Sequence, residues 1–127
     1  MDYPEELFYS KSHVWVKFED GTTASVGITD YEQEELGRLV AVNLPEEGDV
    51  LDFGDVFADV ESEEASEDII SPFSGTISEV NSDLLDSPDM INAEPYEAWI
   101  AVFTDISDRD DLMDSEEYAA FVEKENE

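Results

Sequence analysis

The sequence has no cysteine, and its 127 residues include only five lysines and arginines and a single histidine. Without cysteine there can be no disulfide framework, no thiol nucleophile and no cysteine-based zinc site. Metal centres generally draw on two or more nitrogen or sulfur ligands, so the lone His13 is expected to fill a structural role near Trp15. Scarce basic residues against 36 acidic ones give a formal charge of -31. Nucleic-acid backbones and anionic membranes carry the same sign, so neither is an expected partner. No run approaches the roughly 18 apolar residues needed to span a bilayer. The opening MDYPEELF lacks the basic start of a signal peptide, and a cytoplasmic protein is the expectation.

What is present argues for a packed chain. Hydrophobic residues make up 41% and aromatics 11% of the sequence, enough to build a core despite the charge. The length suits one domain, residues 1–127. The acid-rich, lysine-poor composition resembles that of proteins from salt-accumulating halophiles.

Along the chain, HVWVKF (13–18) alternates as a half-buried strand does, and ASVGI follows the turn EDGT to complete a hairpin. Thr29 sits at a helix N-cap with Glu32 three positions on, and Gly37 stops the segment TDYEQEEL. LVAVNL predicts another strand, and DIISPFSGTISEVN (68–81) two short β runs about a Pro and Gly pivot. Residues 55–61 and 69–80 read as arms around a tip, residues 81–92 allow only a helical turn or loop, and AWIAVF (98–103) is the last strand. From Ser107 or Asp108 onward, Leu112, Met113, Ala119, Ala120, Phe121 and Val122 recur at helical spacing, so 107–127 is expected as a C-terminal amphipathic helix docked on the sheets.

Several ordered pieces resemble the H protein of the glycine cleavage system, a carrier built on a lipoyl-type domain. They are YSKSHVWV, VGITDYEQEELGRLVAVNLPEEGD, VESEEASEDIISPFSGTISEVN and SPDMINAEPYEAWI, spanning about Tyr9 to Phe103. The resemblance implies a mainly β fold, a lipoyl-domain-like barrel-sandwich hybrid of two small sheets with one short helix and the C-terminal helix. It also implies a carrier, not an enzyme, working with glycine decarboxylase, aminomethyltransferase, dihydrolipoyl dehydrogenase and a lipoate-attaching enzyme.

In the family the hairpin tip reads approximately E-S-V-K-A, then P-x-S-G. Ungapped alignment of Val60, Glu61 and Ser62 before the tip, and of Pro72, Ser74 and Gly75 after it, puts Glu64 on the lysine that carries lipoate. Lipoate is held by an amide to a side-chain amine, which a carboxylate cannot form. Lys11, Lys17 and Lys124, the lysines of the chain, all lie off the predicted tip. The expectation is therefore a homologue with Glu64 unmodified and no lipoate cofactor, docking to the partner enzymes. A non-carrier module that uses its acidic tip on an unrelated partner is the alternative.

The acids Glu61, Glu63, Glu64, Glu67 and Asp68 read as solvated surface: an exposed hairpin offers no desolvation to raise a carboxyl, and the regular ligand spacing and central glycine of a calcium loop are missing. Val14 and Glu97-Ala98 also depart from the family pattern, which has an acidic residue after the histidine and a glycine-containing approach to the last tryptophan.

Overall fold

The computed structural model describes residues 2–109 and 111–126. Strands β1 (Phe8–Tyr9), β2 (Val14–Phe18) and β3 (Ala24–Ile28) lead into helix α1 (Asp30–Leu36). Strands β4 (Leu39–Asn43), β5 (Val50–Leu51), β6 (Val56–Ser62), β7 (Ser66–Ile70) and β8 (Gly75–Val80) follow. Two one-turn helices, α2 (Asp83–Asp86) and α3 (Met90–Ala93), precede β9 (Ala101–Thr104) and the closing helix α4 (Ser115–Glu125). The strands form a six-stranded sheet in the order β1-β2-β3-β9-β8-β5 and a three-stranded sheet in the order β4-β6-β7. Every pairing is antiparallel, and the fold is the mainly β, two-sheet architecture expected.

The main core lies between the sheets. Phe57 of β6 meets Phe103 of β9 edge to face at 5.3 Å, and Phe73 meets Phe103 at 4.9 Å, geometry that favours the ring quadrupoles beyond simple burial. A second cluster gathers Leu7, Tyr9, Trp15, Tyr31, Tyr118 and Val122. It explains why β2 does not alternate as expected: Val14, Trp15 and Val16 are all buried, because the main core covers one side of the strand and the second cluster covers Trp15 on the other.

Helix α1 starts at the predicted cap, where the Thr29 hydroxyl accepts the Glu32 N–H at 3.2 Å, and Gly37 closes it at φ 83°. The reciprocal half of the box is not made, since the Thr29 N–H goes to the His13 carbonyl at 3.1 Å. The C-terminal helix differs more from expectation, beginning at Ser115 and not near 107. Ser107–Arg109 and Met113 are drawn into β-type pairing instead. Ser74 and Ser107–Asp108 exchange backbone hydrogen bonds of 2.7 and 3.0 Å, and Tyr9 and Met113 exchange two of 2.8 Å. The cap is Asp114, in a full capping box with Glu117. The last strand likewise begins three residues later than AWIAVF suggested, at Ala101.

Ion contacts among the described residues include Arg38 with Glu63 at 3.9 Å, Arg38 with Asp89 at 3.8 Å, and His13 with Glu125 at 3.1 Å. The two arginine contacts are long and exposed, worth about 0–1 kcal/mol each. They do not offset the self-repulsion of a chain charged -31. Thermal unfolding is therefore expected at a lower midpoint as KCl falls from molar to about 0.1 M, where the screening length grows from roughly 3 to 10 Å. Superimposable calorimetric scans at the two salt levels would contradict this.

Candidate functional site

Strands β6 and β7 form a hairpin in register from Ala58↔Ile69 to Glu61↔Ser66, with a register shift between Val56 and Ala58 at its base and Glu63 and Glu64 at its turn. Ser62 builds the turn. Its N–H reaches the Ala65 carbonyl at 2.7 Å, and its hydroxyl oxygen accepts the N–H groups of Glu64 at 3.3 Å and Ala65 at 3.0 Å. The Glu63 N–H meets the Arg38 carbonyl at 3.3 Å, tying the tip to the segment that enters β4. Asn92 of α3 braces that segment: its amide oxygen accepts the Leu39 N–H at 2.8 Å, and its amide nitrogen donates to Gln33 and to the Gly37 carbonyl, both at 2.9 Å. The Glu64 carboxylate thus stands exposed on a backbone fixed from beneath.

Beside the hairpin, acids of α1, β7 and α4 come close enough to act on one another. Burial raises the Glu32 carboxyl to about 7, with repulsion from Glu67, Glu125 and Glu35 adding to the effect. Nearby, burial lowers the His13 imidazole while the Glu125 carboxylate pulls it back up. His13 adopts the left-handed φ of 66°, which aims its ring at α4. Its Nδ1 lies 2.7 Å from the Tyr118 hydroxyl, which lies 2.7 Å from the Thr29 hydroxyl. A neutral imidazole satisfies the chain: Nε2–H donates to Glu125, the Tyr118 O–H donates to Nδ1, the Thr29 O–H donates to Tyr118, and Thr29 accepts the Glu32 N–H. The network clamps α4 onto the start of α1.

The raised Glu32 carboxyl makes its charging oppose folding. That cost is absent below its ordinary value of 4.5, grows as pH rises, and is complete above about 7. A Glu32→Gln variant is expected to be more stable than wild type by roughly 1–2 kcal/mol at pH 8, after allowance for solvent screening, and nearly equal at pH 4.5. Denaturant titrations of both proteins at the two pH values test this, and a gap that widens on acidification has the wrong sign.

The sequence-predicted residues are distributed as follows. Glu61, Glu63, Glu64, Glu67 and Asp68 all lie on the exposed hairpin. His13 is structural as expected, but its ring neighbours are Tyr31, Tyr118 and Phe121, not Trp15. Lys11 stands in the turn before β2, Lys17 on β2 and Lys124 in α4, so none is on the hairpin. Glu32 and Tyr118 were missed. The signal for Glu32 was only its place at the third position of a capped helix, and its neighbours Glu67 and Glu125 are remote in sequence. Among the described residues no group of three or more His, Cys, Asp or Glu is arranged to hold a metal ion.

The family model for the glycine cleavage H-protein matches residues 7–125. The chain belongs to the glycine cleavage H-protein family. It is 54% identical over 123 residues to the glycine cleavage system H protein of Lachnoclostridium phytofermentans, covering 97% of each chain. It is 48% identical over 121 residues to that of Coprothermobacter proteolyticus, covering 93% of this chain and 95% of the other. The crystal structure of a glycine cleavage system H protein from Mycobacterium marinum superposes with a TM-score of 0.85 at 35% identity, over 92% of this chain and 96% of that one. H-protein membership places the chain among carriers, not catalysts, and makes the enzymes of glycine cleavage the kind of partner it fits.

Membership also corrects one expectation from the sequence. The chain was expected to have no cofactor, but H proteins carry lipoate, and lipoate is the group to which the family match points. The exposed, braced hairpin suits the display of such a group. The Glu64 side chain does not suit its attachment, because a carboxylate has no nitrogen with which to form the amide. No helix among the described residues is long and apolar enough to cross a membrane.

Proposed function

We propose that the chain serves glycine cleavage as an H-protein-type component that docks to glycine decarboxylase, aminomethyltransferase and dihydrolipoyl dehydrogenase through the β6–β7 hairpin. On this proposal residue 64 is the position of the family's lipoyl-lysine, and Glu64 itself carries no modification. The observation that carries the proposal is the tip: Ser62 and Arg38 hold Glu64 at an exposed apex by backbone contacts that do not depend on the side chain at 64.

Replacing residues 62–65 by four glycines tests the docking. Ser62 then loses its hydroxyl acceptor and the apex its fixed shape, while both sheets keep their core. In molar KCl the wild-type chain is expected to bind at least one of the three enzymes in a titration, and the glycine tip to weaken that binding by about tenfold or more. A wild type that binds none of them, or a glycine tip that binds equally well, would remove the hairpin from the proposal.

A further inference from the structure

A groove of about 420 Å³ opens on the six-stranded sheet, and none of its lining residues belongs to the hairpin. Its floor is one cross-strand row, in which Lys17 of β2 faces Ser25 of β3, Ser25 faces Val102 of β9, and Val102 faces Glu79 of β8. Neighbouring strands are about 4.8 Å apart, so Lys17 and Glu79 stand roughly 14 Å from one another at opposite sides. Trp15 closes one end. Its indole lies across Gly27 and donates from Nε1 to the Pro95 carbonyl at 2.9 Å, holding the segment that brings Tyr96, Glu97 and Trp99 to the rim.

Trp15 and Tyr96 of the lining are engaged within the chain, whereas Trp99 and the charged side chains are not, among the described residues. Among the described residues Trp99 has no aromatic partner and no hydrogen bond from its indole N–H, although it is only half-buried. Among the described residues Lys17, Glu79 and Glu97 likewise have no ion pair. An aromatic face next to two carboxylates suits a planar guanidinium, which stacks on the ring and forks onto a carboxylate while its methylene stem covers apolar surface such as Val102. At the far side the ammonium of Lys17 suits a carboxylate of the same ligand, with Glu19, just past the end of β2, as the third carboxylate of the lining. In an extended peptide, side chains four residues apart lie on one face about 14 Å from one another, which matches the span of the row.

We propose that this groove docks an extended segment of a partner protein in which an arginine and an acidic residue stand four positions apart. The arginine lies over Trp99 within reach of Glu79 and Glu97, and the acid meets Lys17. The surface acts independently of whatever residue 64 displays.

A capped Gly-Arg-Gly-Ser-Gly-Glu-Gly peptide tests the site by NMR titration in about 0.5 M KCl, where screening suppresses diffuse attraction to the acidic surface. The Trp99 indole N–H signal is expected to shift saturably. Replacing the arginine by neutral citrulline, or combining Glu79→Gln with Glu97→Gln, is expected to weaken binding about tenfold. The pair Glu46→Gln and Glu47→Gln, an equal charge change elsewhere, is expected to leave it unaltered. Trp99→Ala, followed through the Val102 backbone amide on the groove floor, is expected to abolish saturation, and the glutamine variants keep the test valid if that chain does not fold. The proposal is overturned if the indole signal does not saturate, if citrulline binds as well as arginine, or if the two pairs of glutamines act alike.

Discussion

A Glu64→Lys variant coexpressed with a lipoate ligase gains the mass of one lipoyl group per chain, and peptide mapping places it on residue 64. The turn is made by Ser62 hydrogen bonds to backbone groups, so a lysine at 64 inherits the exposed position and presents its amine on a flexible stem. The change is all or none at that residue, since the wild-type carboxylate cannot condense with the lipoate carboxyl. Acids at 63 and 67 flank the site, and Arg38 sits 3.9 Å from Glu63 as a weak, exposed counter-charge. A second variant, Glu63→Val with Glu64→Lys, removes the nearer acid. If neither variant accepts a lipoyl group, residue 64 is not the acceptor position and the alignment of the tip is wrong.

Gly27→Ala is expected to have the largest effect on stability. A Cβ at residue 27 would lie 2.6 Å from Cε2 and Nε1 of Trp15 and 2.7 Å from Cζ2, well inside contact distance. The indole cannot step aside cheaply, being 2% exposed and bound through Nε1 to Pro95. Overpacking of this kind costs about 3 kcal/mol, and for a chain of this size that lowers the melting temperature by roughly 10 °C. Because the two residues touch, pairing Gly27→Ala with Trp15→Ala should cost less than the two single changes added together. Strictly additive losses in thermal melts at molar KCl would show that the contact is not what makes residue 27 glycine.

Features that depend on short spacings were legible in the sequence. The Thr29 cap, the Gly37 stop and the β2–β3 hairpin each follow from residues within a few positions of one another, and the structure has them; of the arms expected at 55–61 and 69–80 only the first is matched, since the second arm is Ser66–Ile70 and Gly75–Val80 pairs in the other sheet. Features that depend on distant partners were not. The segment from Ser107 onward has helical spacing, yet pairing with Ser74 and Tyr9 offered the backbone groups of Ser107, Asp108 and Met113 other partners, and α4 starts at Ser115. In 81–92 a helical turn or loop was expected, and burial of Leu84 and Ile91 fixes two such turns, a number the local sequence did not give.

The candidate site divides in the same way. Composition and the ordered motifs by themselves determined the charge, the family resemblance and the carboxylate at residue 64, because these are properties of residue identity and order. Folding alone decided that His13 meets Tyr118 from 105 positions away, that Glu32 is raised by Glu67 and Glu125, and that segment 95–99 closes a groove over β2. Burial and charge interaction depend on distance in space, and in a two-sheet β fold the closest neighbours come from strands and helices far apart along the chain.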